Sequence, residues 1–147
     1  MKQQFGVVGL GVMGQNLALN IERNGFSVAG FDLDAAKTAE AGKKFAGKNL
    51  VVAAGMPEFL EKLSSPRRIL MMVPAGKPVD AVIAGLLPHL NAGDLLIDGG
   101  NSYYRDDIDR AAALRPRGIH YVDCGTSGGV WGLERGYCLM IGGDDEP

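Results

Sequence analysis

Near the start of the chain, Gly9-Leu10-Gly11-Val12-Met13-Gly14 has the form G-x-G-x-x-G, and Asp32 follows 18 residues after Gly14. Glycine-rich hexapeptides arise by chance, so the spacing alone says little. The surroundings say more. An apolar stretch (5–9) runs into the hexapeptide, a helical pattern opens within it, and Asp32 closes the next apolar stretch. That context fits a dinucleotide held by its pyrophosphate. Gly9 would permit the tight turn, Gly11 the approach of phosphate to backbone, and Gly14 the close packing of helix on strand. The N–H groups and dipole at the helix N-terminus favour the anion. Asp32 would accept hydrogen bonds from adenosine ribose hydroxyls and repel a 2′-phosphate. Leu33 and Asp34 add a second carboxylate and no arginine, and the nearest cation is Lys37. The expected cofactor is therefore NAD in preference to NADP. Asp34 reads equally as the cap of the following helix.

Three later loops carry further candidates. They are VPAGKP (73–78), DGGNS (98–102) and the glycine-rich DCGTSGGVWGLERG (123–136). Asn101 offers both donor and acceptor to a ligand, and reads as readily as a turn or helix-cap residue. Ser127-Gly128-Gly129 supplies a hydroxyl and successive open N–H groups, a nest for a carboxylate or hydroxyl ligand, or else a flexible turn. Trp131 either walls a pocket or pins this loop. His89, His120, Cys124 and Cys138 form no metal or disulfide pattern and read as structural.

These loops need a frame that brings them to one place. Strand-like runs at 5–9, 27–31, 50–54, 69–73, 95–98, 120–124 and 137–141 alternate with helical patterns at 12–24, 34–45, after Pro57, 78–90 and 104–115. Most strands are continuously apolar, which marks a parallel sheet covered on both sides. The expectation is an α/β fold: a doubly wound, mostly parallel Rossmann-type sheet with helices on both faces. In such a sheet ligands collect at the carboxyl ends of the strands. Residues 125–136 are expected to be a loop, too glycine-rich for a good strand or helix interior. Asp144 to Pro147 look like the start of a further helix, so the chain reads as a fragment of a longer protein.

At 147 residues the chain fits one domain with a real core. A net charge of -2 makes no electrostatic case for nucleic acid or a membrane surface. No apolar run approaches the length of a membrane span, and no secretory signal precedes the first strand. A cytoplasmic location is expected. Its 22 glycines are roughly twice the usual frequency of ~7%, and they cluster between ordered segments, where ligands approach backbone.

The stretches GLGVMGQNLALN (9–20), PRRILMMVPAG (66–76), IDGGNS (97–102) and TSGGVWG (126–132) resemble the cofactor domain of the 6-phosphogluconate dehydrogenase family, in the β-hydroxyacid dehydrogenase superfamily. The likeness runs through essentially all 147 residues. It implies that Gly9, Leu10, Gly11, Val12, Met13 and Gly14, with Asp32, Leu33 and Asp34, hold the dinucleotide. Val73, Pro74 and Ala75 would border the nicotinamide, Asn101 would touch cofactor and sugar acid, and Ser127, Gly128 and Gly129 the substrate. It further implies oxidation and decarboxylation of 6-phosphogluconate to ribulose 5-phosphate, in the pentose phosphate pathway and gluconate utilisation. The chain would then be a dinucleotide-binding domain over 1–147, lacking the C-terminal helical domain. The family's catalytic lysine and glutamate lie in that domain, so no catalytic residue and no metal site is expected here. Alone, the domain would be inactive and a monomer or weak dimer; the full-length protein would be a homo-oligomer. NADP-using members carry Asn-Arg-Ser or Asn-Arg-Thr where this chain has Asp32-Leu33-Asp34, and often lysine where Pro74 stands. A 3-hydroxyisobutyrate-type dehydrogenase, or a non-catalytic NAD-binding module, would share the fingerprint; IDGGNS favours the first family.

Overall fold

Short apolar segments and amphipathic helices alternate along the chain, and each strand finds its partners far away in sequence. A computed structural model describes residues 1–144. The strands are β1 (Phe5–Val8), β2 (Val28–Phe31), β3 (Leu50–Val52), β4 (Arg68–Met71), β5 (Leu95–Asp98), β6 (His120–Ser127) and β7 (Cys138–Gly142). The helices are α1 (Val12–Arg23), α2 (Ala35–Lys44), α3 (Met56–Glu61), α4 (Lys77–Leu86), α5 (Tyr104–Leu114) and α6 (Gly132–Arg135). The strands form one sheet in the order β3-β2-β1-β4-β5-β6-β7, parallel except for β7, which runs antiparallel to β6. This is the expected doubly wound α/β sheet.

Alternation along the buried strands divides the core in two. Val7, Val28 and Leu70 face α1 and α2, packing with Leu17, Ala18, Ala41 and Phe45. Val8, Ala29, Ile69 and Met71 face the other way, onto Phe59, Val79, Val82, Leu86 and Leu114 of α3, α4 and α5. Each fully buried large apolar side chain contributes on the order of 1.5–3 kcal/mol. Because both faces are covered, the central strands show no polar face, which is why they read as apolar runs.

Local chemistry sets the helix ends. Asp34 caps α2, its carboxylate accepting from the Ala36 N–H at 2.9 Å. Asp34→Ala is expected to cost about 1 kcal/mol, read as a lower denaturant midpoint at unchanged slope; an unchanged midpoint would show the cap to be redundant. The helical pattern read over 78–90 ends early, at Leu86, and continues as a 3-10 turn (Leu87–His89). Pro88 is the reason: it has no N–H for the next helical bond and its ring crowds the preceding turn. No helix among the described residues is long and apolar enough to cross a membrane.

Two expectations need correction. Residues 125–136 are mostly regular: β6 continues through Gly125-Thr126-Ser127, then come a 3-10 turn (Gly129–Trp131) and α6. The strand persists because β7 folds back on it, pairing Gly125 with Met140, Thr126 with Leu139 and Ser127 with Cys138. The second concerns coverage. β7 is apolar yet exposed throughout, with Leu139, Met140 and Ile141 at 46%, 63% and 71%. The expected further helix falls, beyond Asp144, outside the described residues.

Candidate functional site

The strand order reverses between β1 and β4, and a cleft of about 550 Å³ opens there at the carboxyl ends of the strands. Gly9, Gly11, Asp32 and Leu33 line one side, and Met72, Val73, Pro74 and Pro78 the other. The turn after β1 is made by Gly9, with φ of +96°, a conformation that L side chains rarely adopt. A Cβ on Gly14 would overlap the Gly9 carbonyl, so α1 can cross β1 this closely only without one. A Cβ on Gly11 would meet nothing within 4 Å. Nothing in the protein itself therefore demands glycine there, as expected if a ligand does. Gly11 is the N-cap of α1 and no side chain caps it. The first-turn N–H groups have no intrahelical partners, which fits the pyrophosphate of a dinucleotide.

Asp32 sits at the end of β2 with both oxygens engaged. Oδ2 accepts from the Leu10 N–H at 2.7 Å and Oδ1 from the Asp34 N–H at 2.8 Å. An ionised carboxylate has about four lone-pair sites, so each oxygen keeps acceptor capacity for a hydroxyl. The same side chain thus ties the glycine turn to β2 and presents negative charge at the cleft. Leu33 is exposed, and Lys37, on α2, also lines the cleft.

The later candidates gather beside the β4 wall. Gly100 lies so close to Val73 that a Cβ there would overlap the Val73 carbonyl. Asn101, with φ of +56°, is neither a plain turn residue nor a helix cap. Its Nδ2 donates to the Thr126 carbonyl at 3.2 Å and its Oδ1 accepts from the Thr126 N–H at 2.9 Å. Both ends of the amide clasp β6, and one further donor and one further acceptor remain. Ser127, Gly128 and Gly129 follow at once, exposed. Pro74 and Ala75 are exposed at the rim, and Val12 lies 59% exposed at the start of α1. Leu10 is fully buried, so it serves through its backbone.

Sequence reasoning missed several supports. Asn16 Nδ2 donates to the Val130 carbonyl at 3.4 Å and Arg23 to the Leu133 carbonyl at 2.6 Å, seating residues 130–133 on α1. The ring of Tyr137 lies against Gly128 and Gly132, closely enough that a Cβ on either would collide with it. Tyr137, not Trp131, pins this segment; Trp131 is 59% exposed, with the Arg135 guanidinium over its ring. No local sequence signal points to these contacts, although Asn16 and Arg23 do stand on one helix face.

Below loop 98–102 lies a buried ionic cluster. Asp98, with no exposed surface, accepts from Gly100 N–H at 2.9 Å and from Ser102 Oγ at 2.6 Å. The Tyr121 hydroxyl lies 3.0 Å from Asp98 Oδ2 and 2.8 Å from Asp107 Oδ1. Arg110 reaches Asp80 at 2.8 Å, Asp107 at 3.2 Å and Asp98 at 3.6 Å. Burial, and then the nearby Asp98 charge, push the Asp107 carboxyl up to about 6. Burial, reinforced by Asp98, also raises Asp123.

With this geometry in place, comparison with known proteins is specific. The chain matches, over residues 4–147, the family model described as the NAD binding domain of 6-phosphogluconate dehydrogenase. It is 50% identical over 145 residues to the NADP(+)-dependent, decarboxylating 6-phosphogluconate dehydrogenase of Bacillus subtilis (strain 168), covering 99% of this chain and 31% of that one. Against the decarboxylating enzyme of Escherichia coli (strain K12) it is 47% identical, with the same coverage. Among solved structures, Plasmodium falciparum 6-phosphogluconate dehydrogenase superposes with a TM-score of 0.89 at 33% identity, over 97% of this chain and 31% of that one. That protein is described with its cofactor NADP+ and with its substrate 6-phosphogluconate. Mycobacterium tuberculosis 3-hydroxyisobutyrate dehydrogenase gives 0.83 at 26% identity, over 99% and 48%. The chain spans about 31% of the length of the curated relatives it matches.

Proposed function

Since this chain belongs to the family of the NAD binding domain of 6-phosphogluconate dehydrogenase, we propose that it is the cofactor domain of a protein that oxidises and decarboxylates 6-phosphogluconate. Residues 9–14 hold the pyrophosphate through backbone, and Asp32, with Leu33 and Asp34 beside it, receives the adenosine ribose. Val73, Pro74 and Ala75 border the nicotinamide. Asn101 touches cofactor and sugar acid with the donor and acceptor left over from its clasp on Thr126. Ser127, Gly128 and Gly129 meet the substrate. When bound, the nicotinamide accepts a hydride from the sugar acid. This chain's residues bind and orient; the proton-transferring groups, the cations for the substrate phosphate and the homo-oligomer contacts belong to a further helical domain. The two cysteines stay free, in keeping with a reducing cytoplasm.

The preferred cofactor is NAD. The observation that carries this is the Asp32 carboxylate, held at the cleft by the Leu10 N–H at 2.7 Å. Fixed there, it cannot swing away from a 2′-phosphate, and Leu33 and Asp34 offer no cation to offset it. Lys37 on the cleft wall favours NADP, as do the NADP(+)-dependent Bacillus subtilis relative and the NADP+ described with the Plasmodium falciparum structure. Calorimetric titration of the chain with NADH and, separately, NADPH decides. Tighter binding of NADH by about tenfold or more is expected, the worth of roughly one charged interaction. Equal affinities would remove Asp32 as selector, and binding of neither would overturn the site.

A further inference from the structure

The buried cluster under loop 98–102 touches no part of the cleft, yet it holds both loops on the β4 side. Arg110 donates to the Gly76 carbonyl (3.4 Å) and to Asp80, in the first turn of α4, and so ties down the loop that begins at Val73. Asp98 holds Gly100 and Ser102 on either side of Asn101. Tyr121 and Arg110 join Asp98 to Asp107.

A tyrosine hydroxyl has one hydrogen, but Tyr121 lies within hydrogen-bond distance of two carboxyl groups. If both were ionised, one contact would set lone pair against lone pair. Asp98 collects Gly100 N–H, Ser102 Oγ, Tyr121 Oη and the Arg110 charge, the donor set of a carboxylate. Asp107 has Arg110 and Tyr121 at Oδ1 and nothing at Oδ2, which is buried without a partner. The proton therefore belongs on Asp107, which donates to Tyr121 Oη while Tyr121 donates to Asp98.

We propose that Tyr121 and Arg110 are positioning residues that set the Asn101 loop through Asp98, and that the setting is complete only while Asp107 carries a proton. When Asp107 ionises, the Tyr121 hydroxyl can serve one carboxylate only, and loop 98–102 loses a tether. The charges that face Asp107 are Asp98 from β5, Asp123 from β6, Arg110 from its own helix and Asp80 by way of Arg110. Asp107, Tyr121 and Asp123 also line a surface groove between α5 and the end of β7, where Arg115 and Asp144 pair with each other at 2.9 Å. Because the folded-state pKa is raised, from 3.8 to about 6, the protonated network is favoured below that range and lost as pH rises through about 6.

The inference rests on the nucleotide reading only for its effect on affinity, so the test has two readouts. In ¹H–¹⁵N spectra of the chain between pH 5 and 8, the Gly100, Asn101 and Thr126 amides are expected to shift together with a midpoint near 6. Asp107→Asn, whose amide can donate to Tyr121 Oη at any pH, should abolish that titration. NAD+ affinity should weaken by about threefold or more across the same midpoint in the wild type. It should stay at the low-pH value in Asp107→Asn, and be reduced and pH-independent in Tyr121→Phe. Amides that do not titrate near 6, or titrate unchanged in Asp107→Asn, would overturn the proton assignment. Tyr121→Phe binding NAD+ like the wild type at every pH would overturn the positioning role. A wild type whose amides titrate but which binds no NAD+ would refute the nucleotide reading and leave the proton-dependent loop standing.

Discussion

Replacing Gly14 by alanine is expected to destabilise the domain by about 3 kcal/mol, a fall in Tm on the order of 10 °C. The added methyl would occupy the position of the Gly9 carbonyl oxygen and press on the Met72 side chain at 3.3 Å. Neither neighbour can yield easily. Gly9 is held by its own N–H bond to the Phe31 carbonyl, at 2.8 Å, and Met72 by its bond to the Val8 carbonyl, at 2.7 Å. The helix must therefore lift from β1, taking with it the N–H groups that face the cleft. Dinucleotide affinity is expected to fall further than stability alone accounts for, by at least about tenfold, since phosphate contacts need backbone placed to a fraction of an ångström. Differential scanning calorimetry with and without NADH measures both effects. A variant that melts within a degree of the wild type would show that α1 can slide without loss.

Asp32→Ala should leave the fold largely intact and cripple binding. Two backbone donors, the Leu10 and Asp34 N–H groups, lose their acceptor. The Asp34 N–H is exposed and water replaces its acceptor, but Leu10 is fully buried, so most of the cost falls on its N–H, about 1–3 kcal/mol. For NADH there is a further loss: two ribose hydroxyls lose a charged acceptor, worth about 1.5–3 kcal/mol in all, or roughly a hundredfold in Kd. NADPH should lose much less, because the repulsion of its 2′-phosphate disappears too. Asp32→Asn keeps an acceptor for the Leu10 N–H without the charge and should therefore restore stability but not selectivity. Equal losses for NADH and NADPH in Asp32→Ala would show Asp32 to be only a loop fastener.

What could be read from the residues follows the range of the forces involved. The parallel strands were visible because burial on two faces leaves them no polar positions, as in FGVV, VAGF and the Ile69–Met71 part of β4. The glycine turn was visible because its steric requirements act within a few residues. Segment 125–136 was misread for the opposite reason. Its glycines suggest a slack loop, but Gly128 and Gly132 are small to make room for the Tyr137 ring, and Gly125 sits in a strand that β7 completes. Asn101 stood out in the sequence, yet its clasp on Thr126 depends on how β5 and β6 end side by side. The Arg110–Asp98–Tyr121 cluster was invisible altogether, since charged residues on α5 read as a solvated face until the sheet closes over them.

The position of β1 has a consequence for the order in which the molecule is put together. β1 pairs with β2 on one side and with β4 on the other. A chain emerging from its N-terminus can join β1, β2 and β3 and fasten Leu10 to Asp32 as soon as residue 52 is free. The opposite wall, at Met72 and Val73, waits for a far longer loop to close, and long-range parallel pairing is the slow part of such folding. The cleft itself comes into being only when β4 docks beside β1, bringing Met72 and Val73 opposite the glycine turn.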